Sequence, residues 1–215
     1  MANNFKLFYK ELVLFMVAQI CIVLGLFSYA SQIKALSELF SLFTIFTLIG
    51  AILMIIVASK LVFINKNYFY FFVTTMFYFF ISLIATIGKE STEDGTVAIA
   101  NGLEISSSIL LSLIYIYFFL GTRDYFKDNN LANNINKSKA AIIYIIVSTT
   151  LLMIMSFMMT IRGVKTNTIL SAILRYGTLL LELVNYVFVL VILILMLIYI
   201  NKKKKEGEIN DEKEK

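Results

Sequence analysis

Histidine, tryptophan and proline are absent from this chain of 215 residues, and it contains a single cysteine, Cys21. Without histidine there is no imidazole general base, no serine–histidine catalysis and no HExxH zinc site. The lone cysteine excludes an intrachain disulfide, and its place in an apolar run is typical of a small hydrophobic side chain. The absence of proline disfavours the interrupted helices that form binding sites in many secondary transporters.

Other motifs of soluble chemistry are missing too. No glycine-rich phosphate-binding motif occurs, and no aspartate lies inside an apolar run, so nucleotide chemistry and a membrane-embedded aspartyl pair are not expected. The methionines at 153, 155, 158 and 159 could ligate a soft metal, but their irregular spacing favours core packing. We therefore expect no cofactor and no metal site, and an enzyme is the least favoured of the functions considered below.

What the chain does contain is apolar sequence. Hydrophobic residues make up 60% of it and charged residues only 15%, and the mean hydropathy is +0.85. Soluble domains are nearer 45–50% apolar, whereas several separate apolar runs are typical of polytopic helical membrane proteins. The net charge is +5, but the basic residues stand at the ends of apolar runs. Orientation in a lipid bilayer explains that pattern better than binding to nucleic acid.

The runs predict an all-α protein with six transmembrane helices in one domain, residues 1–200, and a disordered charged tail, residues 201–215. The first run could also be read as a signal peptide, but the later spans favour an uncleaved helix. A long polar loop is expected at 121–139. The predicted spans are Leu12–Phe27, Leu39–Ile64, Tyr68–Ile87, Ile99–Leu120, Ala140–Ile161 and 183–200, the last with a helical extension at 170–176.

The distribution of lysine and arginine predicts the orientation. With six spans, fourteen of the 19 basic residues fall on one side, which makes that side, with both termini, cytoplasmic. The predicted location is the plasma membrane, with three in–out–in hairpins. Each even-numbered span has a glutamate at its outer end and a basic residue at its inner end: Glu38 with Lys60, Glu104 with Arg123, and Glu182 with Lys202.

Polar stripes around these glutamates are the candidate substrate-binding residues. Arg175, Thr178 and Asn185 share a helix face with Glu182, and Ser108 lies one turn after Glu104. With Glu38 they could line a polar pathway. The alternative is that the glutamates sit at headgroup depth and the small polar residues allow close helix packing, since each span is about one bilayer core long. Arg175 would then serve an ion pair or a lipid phosphate.

The cluster Lys202–Lys205 follows the last span directly. As a stop-transfer signal it needs no further role, and it also predicts attraction to anionic lipids at the cytoplasmic face.

Three functions remain open at this point. The first is a small channel- or transporter-type subunit that uses the faces around Glu38, Glu104 and Glu182. The second is a non-catalytic accessory, assembly or sensor subunit that acts through helix packing and its tail, with a membrane-protein partner or as a homo-oligomer. The third is an enzyme that acts on lipid at the outer interface.

Overall fold

The computed structural model describes residues 2–26, 44–89, 94–159 and 168–205. All regular secondary structure in these ranges is α-helical, as the sequence predicts. The helices are α1 (Ala2–Leu26), α2 (Thr44–Leu61), α3 (Lys66–Lys89), α4 (Asp94–Asp128), α5 (Ala132–Met158) and α6 (Thr168–Lys205).

Helices α1, α4, α5 and α6 extend well beyond the predicted boundaries. Helix α1 includes the polar residues before Leu12. The expected loop at 121–139 is wrong, because α4 continues to Asp128 and α5 begins at Ala132. Helix α6 continues to Lys205, so the first part of the segment assigned to a disordered tail is helical. Residues 206–215 lie outside the described residues.

An asparagine stands in each of the two tight connections that the structure describes. Between α2 and α3, Asn65 Oδ1 accepts a hydrogen bond from the backbone N–H of Tyr68 at 3.1 Å, which caps the first turn of α3. Between α4 and α5, Asn130 has a φ of 57°, a left-handed conformation that asparagine tolerates better than most residues. The Leu131 N–H then bonds back to the Phe126 carbonyl at 2.9 Å, and the chain reverses.

The six helices form a closed ring in which each packs on the next in sequence and α6 returns onto α1. Contacts between helix ends show that neighbours run antiparallel. Asn67 Nδ2 donates to Asp124 Oδ2 at 2.6 Å, which joins the start of α3 to the end of α4. Lys137 Nζ donates to the Leu195 carbonyl at 2.9 Å, which joins the start of α5 to the end of α6. The lysine-rich helix ends therefore gather at one end of the bundle, which we call the basic end.

Aromatic side chains from opposite sides of the ring fill its centre near the basic end. The rings of Phe15 in α1 and Phe118 in α4 stack with centroids 3.9 Å apart, and Phe8 stacks on Tyr125 at the same distance. These residues, with Tyr68 and its neighbours, are almost completely buried. Stacked and edge-to-face pairs each stabilise the fold by about 0.5–1.5 kcal/mol beyond the burial of their rings, so this aromatic layer contributes strongly to the stability of the core.

The outer surface of the bundle is apolar. Large hydrophobic side chains such as Leu48, Phe80, Ile143, Phe157 and Leu180 are 62–70% exposed. A soluble protein would not expose apolar area on this scale. Five of the described helices have an apolar stretch long enough to cross a membrane, and α2 has a shorter one, Ile45–Leu61. The chain thus has the helices of a membrane protein, while the number of spans and their orientation stay predictions.

Candidate functional site

A cavity of about 560 Å³ lies between α4, α5 and α6, in the half of the bundle away from the basic end, with Tyr78 of α3 at its wall. Eleven of the 18 described residues that line it are polar. The polar residues that line it are Tyr78, Ser107, Ser108, Ser112, Tyr115, Thr149, Ser156, Thr178, Glu182, Asn185 and Tyr186. The remaining lining residues are aliphatic or methionine.

The structure brings several of the predicted site residues together here. Thr178, Glu182 and Asn185 line the cavity from α6, and Ser108 lines it from α4. Glu104 and Arg175 belong to the same two helices, α4 and α6, but their side chains lie outside what the structure describes, as does Glu38 altogether. The cavity is therefore built around part of the predicted set, on the predicted face of α6.

Helix α5 supplies a wall that the sequence did not assign to the site. Thr149 and Ser156 lie seven residues apart on one side of α5 and face the cavity. A spacing of two helical turns was a usable signal, because it places both hydroxyls on the same face. What the sequence lacked was any indication that this face lies opposite Glu182.

Three polar groups of the cavity wall present hydrogen-bond acceptors. The hydroxyl of Thr149 donates to the Ile145 carbonyl at 2.7 Å and that of Ser112 to the Ser108 carbonyl at 3.1 Å. Each hydroxyl uses its proton within its own helix, so the oxygen lone pairs remain for other partners. The Asn185 Oδ1 atom is buried and has no hydrogen-bond partner among the described residues. Among the lining residues that the structure describes, Glu182 is the one that carries a charge.

Tyr115 closes the cavity on the side of the basic end. Its hydroxyl donates to Gln19 Oε1 at 2.6 Å, and its ring meets that of Tyr186 edge to face, with centroids 6.4 Å apart. Behind it, Phe15 and Phe118 begin the aromatic layer. Gln19 is completely buried in α1, and its amide donates to Met54 Sδ at 3.8 Å. The only signal for Gln19 was a single amide inside the first apolar run.

A buried ion pair is the second polar feature that the sequence did not predict. Glu11 in α1 is completely buried, and its Oε1 lies 3.4 Å from Lys60 Nζ at the end of α2. The Lys60 side chain is 43% exposed. Neither carboxylate oxygen of Glu11 has a hydrogen-bond partner within the described part of the chain. Lys60, predicted to mark the inner end of a span, also neutralises a buried charge.

The other predicted sites have mixed outcomes. Lys202 is exposed and Lys203 half-buried on the last turn of α6, while the side chains of Lys204 and Lys205 are not described. Their binding of anionic lipid stays a prediction. Core packing is wrong for Met153 and Met158, which are 47% and 37% exposed; Met153 also borders the cavity. Among the described residues, no three potential His, Cys, Asp or Glu metal ligands cluster.

Comparisons with family models, with curated proteins and with solved structures found no match for this chain.

Proposed function

We propose that this protein is a transporter-type membrane protein and that the cavity between α4, α5 and α6 lies on its solute path. The observation that carries the proposal is a polar cavity of about 560 Å³ inside a bundle with an apolar outer surface. Binding cavities for small molecules fall in the same range of size and combine apolar walls with a few polar groups.

The free energy that is needed to place polar side chains inside a membrane bundle supports this proposal. Polar groups in a membrane bundle cost free energy unless they find partners, so most face other helices or water. Helix packing alone would be met by small residues in direct contact. Here serines, threonines and a glutamate surround open space instead, with one amide oxygen left without a partner in the described structure. A bound solute or water that donates a hydrogen bond would satisfy that amide oxygen.

The aromatic layer supports a carrier over an open channel. Tyr115 and the stacked pair Phe15–Phe118 fill the bundle between the cavity and the basic end. A solute in the cavity would reach only one end of the bundle without a rearrangement. Alternating access of this kind is general in secondary transporters. We place the basic end, with both termini, at the cytoplasmic side of the plasma membrane, in keeping with the positive-inside rule.

Flux through purified protein in liposomes tests the proposal. Radiolabelled Rb⁺, tetramethylammonium and glycerol represent an inorganic cation, an organic cation and a neutral solute. We expect at least one of them to enter faster than into protein-free liposomes, and Glu182→Gln to reduce that rate about tenfold or more, as loss of a charged hydrogen-bond partner would. Absence of protein-dependent flux for all three would refute transport and favour an accessory subunit.

Two adjacent threonines provide a matched pair of variants. Thr149 lines the cavity and Thr150 is exposed on the outer surface, and each hydroxyl bonds the backbone carbonyl four residues earlier. Thr149→Val should slow the flux and Thr150→Val should leave it unchanged, because only the first removes a polar group from the path. Equal effects of the two substitutions would show that the cavity is not the route.

A further inference from the structure

Three polar side chains of the cavity wall, one from each of its three main helices, offer hydrogen-bond acceptors. The Ser112 hydroxyl of α4 donates its proton to the Ser108 carbonyl at 3.1 Å, and the Thr149 hydroxyl of α5 donates to the Ile145 carbonyl at 2.7 Å. Asn185 of α6 also lines the cavity, and its Oδ1 atom has no hydrogen-bond partner in the described part of the chain. A ligand that bonds to these three oxygens must supply the protons itself.

A contact between two tyrosines relates the levels of Ser112 and Asn185 along the bundle. The ring of Tyr115 in α4 meets that of Tyr186 in α6 edge to face. Both helices run toward the basic end, and Ser112 precedes Tyr115 by three residues while Asn185 directly precedes Tyr186. At a helical rise of about 1.5 Å per residue, Ser112 lies about 4.5 Å and Asn185 about 1.5 Å from the tyrosine contact, on the side away from the basic end.

Helix α5 runs in the opposite direction and brings Thr149 to the same level. The rings of Tyr144 in α5 and Phe188 in α6 stack with centroids 3.8 Å apart. From that contact, Thr149 lies five residues, about 7.5 Å, away from the basic end, and Tyr186 lies two residues, about 3 Å, in the same direction. Thr149 is therefore about 4.5 Å beyond the level of Tyr186 and within about 3 Å of the level of Asn185. We call Ser112, Thr149 and Asn185 the acceptor cluster.

The acceptor cluster discriminates between ligands by the direction of the hydrogen bond. An ether or ketone oxygen only accepts, so it could bond to Thr149 or Ser112 only if the hydroxyl gave up its bond within the helix. A hydroxyl or N–H group donates to the free lone pair without that loss. Because the three acceptors stand on three helices, a ligand with two or more donors gains most. The volume of about 560 Å³ leaves room for such a compound.

We infer that the cavity binds a small organic compound with at least two hydroxyl or N–H groups, which donate hydrogen bonds to the acceptor cluster. This inference deepens the proposed function and rests on it for the role of the cavity as a solute path. Binding can be measured without flux, so the two can fail separately.

Equilibrium binding to the full chain in phosphatidylcholine nanodiscs, measured by isothermal titration calorimetry against empty nanodiscs, provides the test. The probes are resorcinol, its monomethyl ether and its dimethyl ether, which share one uncharged skeleton and carry two, one and no donors. We expect resorcinol to bind at least about fivefold more tightly than the dimethyl ether, with the monomethyl ether between them, because each hydrogen bond adds to the affinity. This comparison uses the unaltered protein, so it does not depend on whether any variant folds.

Variants at position 149 then locate the site. Thr149→Val keeps the shape of the side chain but removes an acceptor, so it should weaken binding of resorcinol about 2- to 12-fold and leave that of the dimethyl ether unchanged. Thr149→Ser keeps the hydroxyl and should restore most of the affinity for resorcinol. Thr150→Val, at the exposed neighbour whose hydroxyl makes the same bond within the helix, is the matched control and should bind as the unaltered chain does.

Several outcomes would overturn the inference. They are a dimethyl ether that binds as tightly as resorcinol, and resorcinol that shows no saturable binding. A third is a Thr149→Val variant, verified as folded by circular dichroism, that binds resorcinol as the unaltered chain does or weakens both probes equally. Binding with the expected pattern but without protein-dependent flux in liposomes would refute transport and leave the ligand class standing. Flux without that pattern of binding would do the reverse.

Discussion

The buried pair Glu11–Lys60 should respond very unequally to loss of its two members. Glu11 is completely buried, whereas Lys60 is 43% exposed. Lys60→Met leaves a carboxylate inside the bundle without its counter-ion, and breaking a buried pair in this way costs about 3–5 kcal/mol. Glu11→Met leaves a lysine that reaches water or lipid headgroups, so the free energy of unfolding should change by no more than about 1 kcal/mol.

The double substitution sharpens the expectation. With both residues replaced by methionine, no charge remains to be desolvated and the thioether chains fill a similar volume. Replacement of a buried pair by apolar residues is often neutral or stabilising by about 1–4 kcal/mol. Glu11→Met should therefore rescue Lys60→Met. Two independent core defects would instead add their losses of stability, so the double variant would then be less stable than either single variant.

Thermal unfolding of the detergent-purified protein, followed by size-exclusion of the soluble fraction, is the assay. For a chain of this size about 1 kcal/mol shifts the midpoint by roughly 2–4 °C, so Lys60→Met should lower Tm by roughly 6–20 °C. Lys139→Met, at an exposed lysine of α5, is the control and should change it little. If Glu11→Met destabilises as much as Lys60→Met, or the double variant is the least stable of all, the pair does not act as argued.

Three further predictions concern packing and orientation. Tyr68→Phe removes a buried 2.8 Å hydrogen bond between the Tyr68 and Thr122 hydroxyls and should lower the free energy of unfolding by about 1–2 kcal/mol. The control Tyr70→Phe, at a residue that is 37% exposed, should leave the free energy of unfolding almost unchanged. Gly50→Ala would place a methyl group 2.8 Å from the Ala18 carbonyl oxygen, which should force α1 and α2 apart and lower Tm. In Gly177→Ala the new methyl group meets only the end of the flexible Met155 side chain, so this control should be neutral or stabilising. The orientation can be tested with single cysteines in a Cys21→Ser background. A membrane-impermeant maleimide should label Thr168→Cys in intact cells but Asn133→Cys only after permeabilisation. The reverse pattern would overturn the proposed orientation.

The sequence predicts the face of α6 well and its surroundings poorly. Thr178, Glu182 and Asn185 follow the helical period, so their common face could be derived from spacing alone, and the structure places all three on one cavity. The contact between Gln19 and Tyr115 joins residues 96 positions apart. Nothing local specifies such a pair, because any tyrosine in the bundle could in principle meet that amide.

The misassigned loop at 121–139 shows how composition can mislead in a membrane protein. Its asparagines and charges suggest a loop, yet Asn134 and Ser138 are completely buried at the start of α5. The Ser138 hydroxyl donates to the Asn134 carbonyl at 3.0 Å, and the Asn134 amide to the Met196 carbonyl of α6 at 3.4 Å. Polar residues stay helical there because the neighbouring helix supplies partners, and such tertiary partners cannot be read from local propensity.

Two carboxylates inside the bundle illustrate why burial alone does not identify a site. Glu11 is the more deeply buried, but it is sealed among α1 and α2 side chains with Lys60 as its counter-ion, so a solute has no access to it. Glu182 is only partly buried, yet it borders open space of about 560 Å³ together with hydroxyls, an amide and three tyrosines. A charge that binds a ligand requires room for one, and Glu182 has that room whereas Glu11 does not. Glu11 is therefore explained by its ion pair with Lys60, while Glu182 stays a candidate for the solute path that we propose.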